Sequence, residues 1–213
     1  MAKKKIAIID YGMSNMFSMK NALDKIGFNS LITTDPDVLD NSDGVVLPGV
    51  GSFPEAISKL YDLGFDKAIT NYISSKRPFL GVCLGFQMLF ESSSEFGENA
   101  GLGIFQGDVA ALAGNIPGKH VPHVGWNLAT SESYNKSESL FDPLKGVGES
   151  EYFYFIHSYY ARPANSNDIY TRTSYGEFQF CSSILKENVF ACQFHPEKSG
   201  EAGIQVLSNI FSV

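Results

Sequence analysis

The sequence predicts an α/β protein with an open, mostly parallel central sheet, helices on both of its faces, and a β-rich second half. Two observations predict it. Short apolar runs, "KIAIIDY", "DGVVLPG" and "RPFLGV", alternate with stretches of helical periodicity in the first hundred residues. Such runs suit strands buried on both faces, as in parallel sheets covered by helices. After about Ala100 the pattern changes to shorter aromatic and β-branched pieces joined by Gly, Asn and Ser turns.

In chain order, "KIAIIDY" is the first strand, followed by Met16, Met19, Leu23 and Ile26 at helical spacing and by Gly27, a helix stop. "SLITT" reads as extended, and "DGVVLPG" as a buried strand entering a Gly/Pro loop. Residues 53–75 carry helical patterning interrupted at Gly64, and "RPFLGV" is the fourth strand, with a helix expected over 84–91. "EYFYFIHSYY", "DIYTRTSY", "EFQFCSSIL" and "NVFACQF" supply the later strands. The closing "SGEAGIQVLSNIFSV" is helical, with Ile204, Leu207 and Ile210 on one side.

With 213 residues and no linker, repeat or low-complexity tract, one domain over 1–213 is expected. Hydrophobic residues make up 44% and charged residues 18%, yet no apolar run approaches the ~20 residues that cross a bilayer. No membrane partner is expected, and "MAKKKIAIID" lacks an export signal's cleavage site. The net charge of −7, with no basic stripe beyond Lys3 to Lys5, argues against nucleic acid. Cys83, Cys181 and Cys192 are unpaired by spacing, which suits a reducing cytoplasm. The last two sit in strand-like runs as small hydrophobes.

Cys83 has a different setting. "GVCLG", Gly81 to Gly85, matches the nucleophile elbow G-x-S-x-G with sulfur for oxygen, in which a strand turns sharply into a helix and lifts the reactive atom off the sheet. Unpaired amides and the positive end of a following helix favour thiolate. A base is offered by His195, in "HPEKS" at the end of a strand, where sites of open α/β sheets collect. Pro196 keeps His195 extended, so Glu197 falls on the same side and can hold one ring nitrogen. Cys83, His195 and Glu197 therefore form a candidate triad. The Gly-rich loop "LPGVGSF" supplies candidate oxyanion donors at Val50 and Gly51, joined by the Leu84 amide. It lacks the Lys-Ser/Thr ending of a phosphate loop. The H-x-x-H of His120 and His123 contains a proline and has no second ligand pair, and His157 lies in an aromatic strand as a structural residue. No metal or cofactor is expected.

"GVCLGFQ" together with "QFHPE" resembles the class I, triad-type glutamine amidotransferases, which hydrolyse glutamine and pass ammonia to a synthase. "IIDYGMSN", "LPGVGSF", "GVCLGFQMLFESSSE", "VPHVGWN", "YFYFIHSYY" and "QFHPEKS" extend the likeness over nearly the whole chain, toward members whose partner is a (β/α)8-barrel synthase in a heterodimer. One departure is "MSN", where the family usually has glycine before the asparagine. The resemblance implies Cys83 as nucleophile, His195 as base and then acid, and Glu197 as orienting carboxylate. It implies that Gln87, Glu95, Gly51, Ser158 and Tyr159 hold L-glutamine, and that Asn15, Trp126, Tyr154 and Lys198 face the synthase. The same chemistry could serve a different synthase, in a cell-surface sugar pathway, whereas a cysteine peptidase would share the elbow and histidine without needing Gln87, Glu95 or "VPHVGWN". A silent binding module would not need the triad.

Overall fold

The computed structural model describes residues 3–13, 16–132 and 139–213. Asn15, expected at the partner surface, lies outside them. The chain builds β1 (Lys5–Ile9), α1 (Met16–Ile26), β2 (Asn29–Thr33), β3 (Gly44–Leu47), α2 (Phe53–Asp62), α3 (Phe65–Ser74), β4 (Phe79–Val82) and α4 (Leu84–Gln87). Then follow β5 (Phe90–Ser93), β6 (Asn99–Ala100), β7 (Phe105–Ala111), β8 (His123–Ser131), β9 (Ser150–His157), β10 (Tyr159–Pro163), β11 (Ile169–Tyr175), β12 (Phe178–Lys186), β13 (Val189–Cys192) and α5 (Gly200–Phe211).

Among the described residues these strands form a sheet ordered β2-β1-β3-β4-β13-β12-β11-β8-β9 and a smaller one ordered β10-β7-β5-β6. The pairings from β2 to β13 are parallel, and those from β13 through β12, β11 and β8 to β9 are antiparallel. Period-two alternation sends the buried strands to two cores. Ile6, Ile8, Val46, Leu80 and Val82 meet α1 and α5 through Leu23, Val206, Leu207 and Ile210. Ala7, Ile9, Val45, Leu47 and Phe79 meet α2 and α3, through Leu60, Ile69 and Tyr72, and the small sheet, through Phe90, Phe105 and Val109. Helices therefore cover both faces, as the apolar runs require.

The helical stretch from Phe53 breaks where Gly64 takes φ 76°, leaving α2 and α3 as separate helices. The expected helix over 84–91 ends at Gln87, and Phe90 to Ser93 instead pair with β6 and β7. Phe86, Met88, Leu89 and Phe90 are all fully buried and Gln87 between them is buried too, and a run buried on every side carries no period that separates helix from strand. Strands β5 to β8 likewise have no counterpart in the sequence pattern, being short or broken by glycine.

β13 comes from the second half of the sequence yet runs parallel to β4, with Cys192 opposite Val82. The Cys83 amide continues the ladder by donating to the Cys192 carbonyl at 2.8 Å. Cys83 and His195 thus leave the sheet at the carboxyl ends of adjacent parallel strands.

The elbow requires its glycines. A Cβ on Gly85 would lie 1.9 Å from the Leu47 carbonyl oxygen, and one on Gly81 would crowd Leu89 and Ala191 at 3.1 and 3.2 Å. Gly85→Ala is therefore expected to cost about 3 kcal/mol and lower the melting temperature by roughly 10 °C in a thermal melt followed by circular dichroism. An unchanged melting temperature would contradict the tight approach of α4 to β3.

Candidate active site

Cys83 is the residue at the turn from β4 into α4 and has φ 55°, a left-handed conformation rare for a side chain bearing Cβ. Such strain persists where the surroundings over-determine it. Here the β13 ladder bond fixes the Cys83 amide, and the Gln87 amide donates to the Cys83 carbonyl at 3.1 Å. The sulfur is nearly buried and makes two long contacts, as donor to the Ile156 carbonyl at 3.7 Å and as acceptor from Gln193 Nε2 at 3.6 Å.

His195 is held on both sides. Its amide donates to the Tyr154 carbonyl at 2.9 Å, and its Nδ1 meets Glu197 Oε1 at 2.8 Å, so Nδ1 carries the proton and donates. Nε2 is buried and, among the described residues, has no hydrogen-bond partner. Burial opposes a charge on the ring, but the Cys83 sulfur and then Glu197 outweigh it and raise the His195 pKa far above the ordinary imidazole value. Cys83 and His195 line one cavity of about 280 Å³, with Glu197 behind the histidine.

Val50, Gly51, Leu84, Gln87, Glu95, Ser158 and Tyr159 line the same cavity. Both amide hydrogens of Gln87 are committed, to the Tyr159 carbonyl and to Gln193 Oε1, each at 2.9 Å. What Gln87 can offer a ligand is therefore its carbonyl oxygen. Glu95 Oε2 accepts from the Phe53 amide at 2.7 Å, which ties this wall to the first turn of α2. Burial raises the Glu95 pKa, and the Phe53 bond pulls against that shift. This end of the cavity is lined with acceptors and suits a cation such as an α-ammonium group.

The Gly-rich loop differs from expectation at Val50. The Val50 amide points to the Met13 carbonyl, donating at 3.2 Å, so in this conformation it is not an oxyanion donor. The loop is further held by Tyr11, whose buried hydroxyl donates to the Pro48 carbonyl at 2.9 Å. It also lies against the elbow: a Cβ on Gly49 would stand 2.6 Å from that hydroxyl and 2.8 Å from the Gly85 nitrogen.

Trp126 and Tyr154 lie apart from the cavity, directly opposite each other on β8 and β9, with ring centroids 6.3 Å apart. Lys198 Nζ sits 6.0 Å from the Tyr154 ring centroid. Val124, Leu128, Tyr152 and Ile156 are exposed beside them, a cluster of exposed apolar side chains of the kind found at interaction sites. Sequence reasoning overlooked Gln193, Tyr11 and the partnership of His123 with His157. Gln193 follows a wholly apolar strand, and a polar residue fully buried at a strand end is a signal that could have found it.

The class-I glutamine amidotransferase family profile matches residues 7–212, and the chain belongs to this family of enzymes. Within it the chain is 45% identical to "Imidazole glycerol phosphate synthase subunit HisH" of Caldanaerobacter subterraneus subsp. tengcongensis, over 204 residues and 96% of each chain. It is 44% identical to the protein of the same name in Methanothermobacter thermautotrophicus, over 98% of each. Among solved structures, that of PurLQS from Thermotoga maritima superposes with a TM-score of 0.75 at 21% identity, covering 99% of both chains.

Burial holds His123 down to about 4; burial also holds His157 down to about 3, with the neighbouring His123 and His195 adding to the effect and the Tyr159 hydrogen bond opposing it. Both rings stay neutral in the folded chain, while unfolding returns them to about 6.5. The unfolded state therefore binds more protons below that value, and the stability present above it is lost as pH falls. His195, raised instead, reaches its full contribution below the same value and adds no loss there. The melting temperature is expected to fall between about pH 6 and about pH 4.5; differential scanning fluorimetry giving a constant value across that range would contradict a neutral pair.

Proposed function

We infer that the chain, as one domain over 1–213, is the glutaminase subunit of an imidazole glycerol phosphate synthase in histidine biosynthesis. It hydrolyses L-glutamine and delivers ammonia to a (β/α)8-barrel cyclase in a heterodimer. The observation that carries the chemistry is the Cys83 sulfur sharing a cavity with a His195 ring whose far nitrogen is fixed by Glu197, beside the acceptors of Gln87 and Glu95. The pathway rests on the relatives at 45 and 44% identity.

In the proposed reaction the sulfur attacks the side-chain carboxamide carbon, and the carbonyl oxygen becomes an oxyanion held by the Gly51 and Leu84 amides. Glu197 keeps Nδ1 protonated, so Nε2 faces the reacting atoms, takes the Cys83 thiol proton as the sulfur attacks and hands it to the departing nitrogen. The C–N bond breaks, ammonia leaves and a thioester remains. Water, deprotonated by Nε2, attacks the thioester and releases glutamate, and the thiol regains its proton. Gln87 Oε1 and Glu95 receive the α-ammonium, while the Ser158–Tyr159 segment and Gly51 complete the grip. Nothing in the steps calls for a cofactor, and three free cysteines suit a reducing cytoplasm.

Ammonium is not a nucleophile, so ammonia must reach a second site unprotonated, and a docked partner provides that route. The face of Trp126, Tyr154 and Lys198 is the proposed docking surface. Its strand β9 touches the site directly, through the Tyr154 carbonyl on the His195 amide and the Ile156 carbonyl near the Cys83 sulfur. The Val50 amide, spent on Met13, leaves the resting site one donor short, at a cost of about 3 kcal/mol or roughly 100-fold in rate.

Glutamate release by the purified chain is expected to be slow alone and to rise by roughly 100-fold with an imidazole glycerol phosphate synthase cyclase subunit. Cys83→Ala should abolish it, and Trp126→Ala should weaken the stimulation while leaving the basal rate. Thiol-dependent activity indifferent to this cyclase would point to a different synthase, and absence of activity with it would refute the glutaminase assignment.

A further inference from the structure

The cavity wall that meets Gln87 includes His157, with His123 behind it, two histidines that the mechanism does not use. His157 and His123 stand directly opposite each other on β9 and β8, facing inward, with Nδ1 of His123 and Nε2 of His157 3.0 Å apart. Their rings pack among Phe155, Phe180 and Tyr175.

The hydrogen-bond roles along this pair are forced from its two ends. His157 Nδ1 lies 2.8 Å from the Tyr159 carbonyl, which can only accept, so Nδ1 carries the proton and Nε2 of the neutral ring accepts. His123 Nδ1 must then donate, which leaves His123 Nε2 as acceptor for Asn127 Nδ2 at 3.2 Å. Asn127 cannot be turned over: its Nδ2 also donates to the Ser174 carbonyl at 2.9 Å, and its Oδ1 accepts from the Leu128 amide at 2.8 Å. Every group therefore points one way, from Asn127 through both rings to Tyr159. Burial, which keeps both rings neutral, is consistent with this direction.

The Tyr159 carbonyl is also the acceptor for Gln87 Nε2, whose other hydrogen goes to Gln193 Oε1, and Gln193 Nε2 reaches the Cys83 sulfur. Turning the Gln87 carboxamide over would set its oxygen against two acceptors, the Tyr159 carbonyl and Gln193 Oε1. The Tyr159 carbonyl, shared by Gln87 and the histidine pair, thus sets which atom Gln87 presents to the cavity, and the pair helps hold that carbonyl in place.

We propose that His123 and His157 are positioning residues: a one-directional hydrogen-bond relay, anchored at Asn127, that fixes the Tyr159 carbonyl and thereby makes Gln87 present its oxygen to the ammonium group of glutamine. The link to glutamine rests on the glutaminase assignment above, and the relay itself rests on the geometry alone. Its loss should weaken substrate binding and spare the chemical step.

The test has two arms. Long-range 1H–15N spectra of the wild-type chain at neutral pH should show both rings neutral with the proton on Nδ1; an Nε2–H tautomer or an imidazolium at either residue would overturn the relay. In the complex with the cyclase, His157→Phe should raise KM for glutamine about ten-fold with kcat within about two-fold. His157→Asn, which restores a donor at the Nδ1 position, should bring KM back to within about three-fold of wild type. Equal KM in the two variants, or a loss confined to kcat, would contradict the positioning role. Absence of glutamate release from the wild-type complex would defeat the glutaminase assignment while the spectra still decide the relay. The spectra need no variant, so they also decide it if His157→Phe does not fold.

Discussion

The parallel pairing of β4 with β13 is the constraint on which the rest of the site depends. Cys83 and His195 are more than a hundred residues apart in sequence, and they become neighbours because two four-residue strands run side by side in register, Cys192 against Val82. The Cys83 amide closes the last rung on the Cys192 carbonyl. Beyond that rung both chains turn away: β4 into an elbow that holds Cys83 left-handed, and β13 into a His-Pro-Glu turn that puts Glu197 on Nδ1 of His195. A one-residue slip between these strands would carry the sulfur and the imidazole to opposite faces of the sheet.

Around that pair the fold uses polar groups sparingly and connects them. Gln193, fully buried, joins the sulfur to Gln87; Gln87 joins Tyr159; and the two histidines brace Tyr159 from behind. A buried network of this kind specifies orientation because a partly satisfied alternative is costly. β9 carries the network on one face and exposed Tyr152 and Ile156, with half-buried Tyr154 between them, on the other. A partner seated on the outer face is thus separated from the reacting atoms by the thickness of a single strand.

Much of this was legible in the residues. Runs apolar on both faces announce buried strands, Gly81 and Gly85 announce an elbow, and Pro196 between His195 and Glu197 announces the geometry of the pair. The helix expected over 84–91 was not resolvable by pattern, because Phe86, Met88, Leu89 and Phe90 are apolar and even Gln87 between them is buried, whichever way the chain goes. The direction of the Val50 amide could not be read either, since rotating a peptide plane in a Gly-flanked loop changes no side-chain requirement. The His123–His157 pairing was hidden for another reason: it depends on the register of β8 against β9, and no local feature of either segment fixes that register.

The account stands on His195 acting on the Cys83 sulfur across the β4–β13 junction, and the most direct measurement is the rate of alkylation of Cys83 by iodoacetamide, followed by peptide mass spectrometry, in wild type and in His195→Asn. The prediction is that Cys83 reacts faster than the buried Cys181 and Cys192, and that His195→Asn slows it by about ten-fold or more while the melting temperature holds. A Cys83 rate unchanged by the loss of the imidazole would contradict the account.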